Sequence, residues 1–63
     1  MITYEIVKSN LDNAVEGGYT EILEWSATDI ALDLIAFAED CEDCTVEELR
    51  PHIWKWLDSK RIK

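Results

Sequence analysis

Two cysteines separated by two residues, Cys41 and Cys44, have the spacing that is typical of redox pairs and zinc ligands. A redox pair needs an electropositive setting that stabilises the thiolate, whereas four acids lie among or beside these cysteines at positions 39–43. A zinc site needs four ligands, and the sequence contains no second CxxC and no HxxxH. We therefore expect reduced cysteines that pack or lie exposed, with no metal and no cofactor.

Other catalytic arrangements are equally poorly supported. His52 is the only histidine. A predicted helix start lies between Cys44 and His52, so we do not expect the two side chains to meet as a nucleophile and its base. Gly17 and Gly18 are typical of a turn or a helix end and not of a phosphate-binding loop. A chain of 63 residues also has little room for a ligand pocket of roughly 300–1,000 Å³. The sequence predicts a protein that works by binding and is not an enzyme.

The charge distribution is the clearest functional feature of the sequence. Fourteen acids and six bases give a net charge of −8 at pH 7. Residues 1–49 carry a net charge of −12 with Lys8 as their one base, and residues 50–63 carry +4. Such a field favours a basic protein surface as partner and disfavours direct binding of nucleic acid. The alternative is that the acidity only maintains solubility.

Several acids in the second half of the chain do not stabilise the predicted helices. Negative charge near a helix C-terminus opposes the helix dipole, and the acids at positions 39–43 also repel one another. Trp54 and Trp56 point to two sides of one predicted helix, so we expect one in the core and the other at a partner contact. The predicted partner-binding residues are Asp29, Asp33, Asp40, Glu42, Asp43, Glu47, Trp54 and Trp56.

The N-terminal third of the chain allows two interpretations. Residues 2–7 and 19–25 alternate apolar and polar side chains and are rich in β-formers, which predicts two strands. Between them, a short helix would begin at Ser9 and end at Gly17. The alternative is a single helix over residues 4–16. The apolar residues with the helical spacing that supports it are Tyr4, Val7, Leu11 and Val15.

A second helix is predicted over residues 26–40. Ser26 is a favourable N-cap, and Asp29 follows three residues later, as a capping box requires. Asp29, Asp33 and Asp40 are expected to share one face of this helix. Its apolar stripe, expected to pack in the core, consists of Ile30, Leu34, Phe37, Ala38 and Cys41.

A third helix is predicted to begin at Thr45, which forms a capping box with Glu48. Pro51 lies past the first turn of this helix and should kink or restart it. Positive residues at the end of the helix complement its dipole. These are Lys60, Arg61 and Lys63, and the apolar stripe is Val46, Leu49, Ile53 and Leu57.

These elements predict one acidic globular domain over residues 1–63. Hydrophobic residues make up 48% of the chain and include three tryptophans, so we expect a folded core. The expected fold is α+β, with an N-terminal two-stranded sheet packed on two C-terminal helices, and the alternative is an all-α three-helix domain. No apolar run approaches ~18 residues, so we expect a soluble cytoplasmic protein without a membrane span or signal peptide.

In size and charge, the whole chain resembles the small acidic inhibitors of phages and mobile elements, among them DNA mimics that block restriction or CRISPR machinery. The resemblance implies an anti-restriction or anti-CRISPR protein that occludes a basic, nucleic-acid-binding surface of a partner. Acidic helix faces can hold carboxylates at spacings comparable to backbone phosphates. The alternative function is a structural or regulatory interaction module, such as a homodimer, that has no catalytic role.

Overall fold

The computed structural model describes residues 2–61, which form three α-helices joined by two short 3₁₀ helices. These residues contain no strand, so the predicted two-stranded sheet is wrong and the all-α alternative fits. Lys63, predicted to add to the positive C-terminus, lies outside the described residues. The α-helices are α1 (Tyr4–Glu16), α2 (Ala27–Phe37) and α3 (Val46–Arg61), and the 3₁₀ helices are Thr20–Glu24 and Glu39–Cys41.

A helix cap and two buried apolar side chains favour a helix, α1, over a strand in the N-terminal segment. The Thr3 hydroxyl accepts a hydrogen bond from the Ile6 N–H at 3.3 Å, which starts the helix before the predicted Ser9 cap. Val7 and Leu11 are buried, so the helical spacing of apolar residues outweighs the β-forming composition of residues 2–7. A two-stranded sheet alone would also have been only marginally stable.

The two glycines end α1. Gly18 has a φ of 106°, a left-handed conformation that glycine adopts without steric cost. Its N–H donates to the Val15 carbonyl at 3.0 Å, and the Tyr19 N–H donates to the Ala14 carbonyl at 2.9 Å. This pair of bonds is a Schellman motif. The chain then enters the first 3₁₀ helix, where Ile22 is buried and the second predicted strand is absent.

The predicted N-cap of α2 and the predicted capping box of α3 are confirmed. The Ser26 hydroxyl accepts from the Asp29 N–H at 3.1 Å. The Glu48 N–H donates to the Thr45 hydroxyl at 3.2 Å, and the Thr45 N–H donates to the Glu48 carboxylate at 2.9 Å. Helix α3 continues through Pro51 and does not restart there.

The core lies between α3 and the other two helices. Its largest fully buried side chain is Trp56, which is 0% exposed. Helix α2 ends at Phe37 because the backbone is extended at Ala38, so the prediction that it reaches Asp40 is wrong. Phe37, the last residue of α2, is 82% exposed, so its predicted place in the core stripe is wrong. Among residues 2–61, no helix has both the length and the hydrophobicity that crossing a bilayer requires.

Candidate partner-binding surface

Most of the basic side chains are engaged within the fold. Lys8 and Lys60 both form ion pairs with Asp12, at 2.7 and 3.2 Å. The Lys55 ammonium lies 4.4 Å from the centre of the Tyr4 ring. The Arg61 guanidinium donates to backbone carbonyls of the first 3₁₀ helix and its end, at 2.8 to 3.1 Å. Lys60 and Arg61 therefore fasten the end of α3 to its neighbours as well as complementing its dipole.

Asp12 is the polar link between α1 and α3. Its carboxylate accepts a hydrogen bond of 2.9 Å from the indole N–H of the buried Trp56. The Lys60 ammonium also lies 5.8 Å from the centre of the Trp56 ring. The ion pair and hydrogen bond with Lys8, followed by the Trp56 bond, hold the pKa of the Asp12 carboxyl well below its usual range.

We expect Asp12→Ala to lower the free energy of unfolding by about 1–3 kcal/mol at pH 7, because the Trp56 indole N–H loses its acceptor. The matched control, Glu16→Ala, removes an exposed acid at the C-terminal end of the same helix and should change stability by less than ~0.5 kcal/mol. Urea denaturation of the two variants measures both effects. Equal stability of the two variants would contradict the role of Asp12.

The same bonds predict a pH dependence. The pKa of Asp12 is lowered by folding, so its stabilising contribution is complete above the pKa of about 4 that an aspartate has in the unfolded chain. The contribution is then lost progressively as the pH falls toward the lower pKa of the folded state. We therefore expect the stability difference between wild type and Asp12→Asn to be constant from pH 7 to about pH 5 and to shrink below about pH 4. A difference that grows on acidification would contradict this assignment.

The link from α2 into α3 forms an acidic turn, which we define as residues 39–48. All six of its acids are exposed, and the segment contains no base. Among the described residues, no lysine, arginine or histidine forms an ion pair with them. The Asn10 amide donates to Asp40 at 3.4 Å, which ties the turn to α1. The six acids are Glu39, Asp40, Glu42, Asp43, Glu47 and Glu48.

Phe37 stands beside the acidic turn. It lines a shallow cavity of about 170 Å³ together with Glu39 and Glu42. On its other side lies Asp33, in the preceding turn of α2. A large apolar side chain surrounded by carboxylates can bury its ring against a partner while the charges select a basic surface.

The three acids predicted to share one face of the second helix lie in two separate places. Asp29 and Asp33 lie on α2, four residues apart and in line with Phe37. Asp40 lies in the second 3₁₀ helix, so the prediction that it shares their face is wrong. It instead borders a cavity of about 290 Å³ with Asp43, at the N-terminal end of α1. Glu42 and Asp43 are exposed in the acidic turn.

The two tryptophans of α3 face opposite environments, as predicted. Trp56 is fully buried, so its side chain has no surface to offer a partner and its predicted binding role is replaced by a structural one. Trp54 is 47% exposed and lies with Glu47 and Arg50 around a separate shallow cavity. Glu47 therefore belongs to the acidic turn and also lies beside the Trp54 cavity.

The two cysteines are not joined by a disulfide, and Cys41 is fully buried while Cys44 is half-buried. Burial raises the pKa of the Cys41 thiol, and the neighbouring Cys44 and Asp40 raise it further. A raised pKa reduces the thiolate fraction and with it the reactivity of the thiol. No group of three or more metal-ligating side chains occurs within residues 2–61.

We expect the melting temperature to change by less than about 2 °C when a chelator or a reductant is added, since Cys41 and Cys44 are not joined by a disulfide and the described residues contain no cluster of three metal-ligating side chains. Differential scanning calorimetry with and without each agent measures this. A loss of more than about 10 °C with the chelator would instead identify a structural metal at Cys41 and Cys44.

Sequence reasoning missed Phe37 as a surface residue, because its position fits the apolar stripe of α2. The local sequence gives no clear signal for this, because Ala36 and Ala38 both favour a helix, whereas α2 ends at Phe37. Comparison with known proteins finds no match, since no family model, curated protein or solved structure is significantly similar to this chain.

Proposed function

We propose that this protein is a small acidic inhibitor that binds a basic, nucleic-acid-binding surface of a partner protein and occludes it. The observation that carries the proposal is the exposed Phe37 beside an acidic turn with six exposed acids and no base. The proposed contact residues are this phenylalanine and the acids around it, all of which are exposed except the half-buried Asp33. They are Asp29, Asp33, Phe37, Asp40, Glu42, Asp43 and Glu47.

The internal use of the basic residues supports this proposal. Because Lys8, Lys60 and Arg61 are bonded within the fold, they do little to neutralise the outward-facing acids of the turn. The unbalanced charge of −8 then produces a negative field that steers the protein toward a positive surface. Such a surface would normally hold phosphates, and carboxylates replace phosphates there without any base being read. The proposed host setting is a phage or mobile element that must block a restriction or CRISPR complex.

A second candidate function is a non-catalytic interaction module that forms a homodimer. The exposed apolar residues Leu32 and Phe37 on α2 favour it, since they would bury area against a second copy. The repulsion between two chains that each carry −8 opposes it. Sedimentation at several protein concentrations tests this candidate, and a stable dimer at high and low salt would favour the module over the inhibitor.

The experiment that tests the inhibitor is a competition with nucleic acid. Partners captured from the native host are loaded with a fluorescent DNA or RNA duplex, and the protein is added at increasing concentration. Occlusion predicts complete release of the duplex, at concentrations that rise with the amount of duplex present. Formation of a ternary complex that retains the duplex would contradict the proposal.

A further inference from the structure

A groove runs between α1 and α2 next to the acidic turn. Its volume is about 570 Å³, which is larger than expected for so short a chain, and its apolar lining includes the buried Leu34 and the partly buried Ala14 and Ala38. Two exposed aromatic side chains, Tyr19 and Phe37, also line it. The Tyr19 ring is held in place by an edge-to-face contact with Trp25, at 5.6 Å between ring centres. The groove is therefore an apolar cleft with a fixed aromatic side chain in its lining.

The charge in the lining of the groove is negative. Asp33 lines it, together with the uncharged Asn10 and Asn13, and no lysine, arginine or histidine among the described residues does so. The pKa of the Tyr19 hydroxyl is raised, first by partial desolvation and then by the negative charge of Asp33. The Asn10 amide donates to Asp40, which places this acid of the acidic turn beside the groove.

We propose that this groove takes one apolar side chain of a cationic amphipathic helix, whose lysines or arginines contact Asp33 and the acidic turn. The inference rests on the proposed function and identifies which part of a basic partner enters the site. Charge complementarity selects this occupant, since a second copy of the chain would bring its own charge of −8 close to Asp33 and the acidic turn. A helix is a matching shape because the groove lies between the two helices α1 and α2, where an amphipathic helix can place an apolar side chain.

Two synthetic helical peptides of about 18 residues, long enough to form a helix, test this inference. Both carry the same lysines and arginines, and they differ only in having leucine or serine at two positions on the apolar face. On the protein side, Asn13→Trp places an indole in the groove without changing any charge, and Asn13→Ala controls for loss of the amide. Near-UV circular dichroism checks that both variants are folded.

We expect the leucine peptide to bind wild type and Asn13→Ala at least about tenfold more tightly than the serine peptide does, as burial of one leucine side chain allows. Asn13→Trp should abolish this preference, whereas Trp54→Ala, on a separate surface, should retain it. Amide chemical-shift changes on binding should be largest at Ala14, Leu34 and Ala38.

Two results would overturn the inference in different ways. If both peptides bind equally and Asn13→Trp has no effect, the groove is not a docking site, although salt-sensitive binding of both would leave the acidic inhibitor standing. If neither peptide binds at low salt, the charge complementarity on which both proposals rest is absent.

Discussion

Trp56→Ala should leave the protein only marginally folded at 25 °C. The side chain is fully buried and packs between the helices, so its removal should cost about 3–5 kcal/mol. It also removes the donor that Asp12 accepts from, which loosens the link between α1 and α3. A domain this small has a total stability of only about 5 kcal/mol, so the loss consumes most of it. Far-UV circular dichroism and urea denaturation measure the result.

Trp54→Ala is the matched control, because it removes the same side chain two residues away on the same helix. Trp54 is 47% exposed, so this variant should stay folded and lose less than about 1 kcal/mol. Comparable destabilisation by the two substitutions would show that the core is not centred on Trp56.

Replacing Asp33, Asp40 and Asp43 together with lysine should weaken partner binding at least about 100-fold, which corresponds to roughly 1 kcal/mol per position. The three acids border the groove and the acidic turn, where they would meet positive charge on the partner. Folding should be unchanged or slightly improved, since the substitutions relieve repulsion between neighbouring acids. Isothermal titration calorimetry with the captured partner measures the affinity.

A control with the same change in net charge separates a local surface from the overall field. Glu16, Glu24 and Asp58 are exposed and lie toward the ends of α1, the first 3₁₀ helix and α3 that are remote from the acidic turn. Their replacement with lysine should weaken binding by less than about 10-fold. If the two triple variants lose affinity equally, the partner senses only net charge and the acidic turn is an ordinary solvated surface.

Helices α2 and α3, whose caps have no competing strand pattern beside them, could be predicted from the sequence, whereas α1, although it is capped by Thr3, could not. Ser26 and the Thr45–Glu48 box have side chains whose bonds to the backbone fix a helix start locally. In contrast, residues 2–7 carry both strand and helix spacing. The choice depends on burying Val7 and Leu11 against the rest of the core, which only tertiary packing supplies.

The candidate surface was only partly predictable for the same reason. Exposure of the acids follows from their charge, since unpaired carboxylates are rarely buried. Phe37 lies three residues after the buried Leu34 and so fits the apolar stripe of α2, and its exposure depends on which elements pack against the end of the helix. The grouping of Asp40 with Asn10 of α1 depends on tertiary contacts that helix periodicity does not specify.

The salt dependence of affinity for the native partner tests the central claim most directly. The account predicts that affinity falls at least about 100-fold between about 50 and 200 mM salt, as for a surface that replaces several phosphates. The variant with lysine at Asp33, Asp40 and Asp43 should lose most of this dependence. An affinity that is unchanged across this salt range, in wild type and variant alike, would contradict the claim that the acidic turn around Phe37 recognises a basic surface.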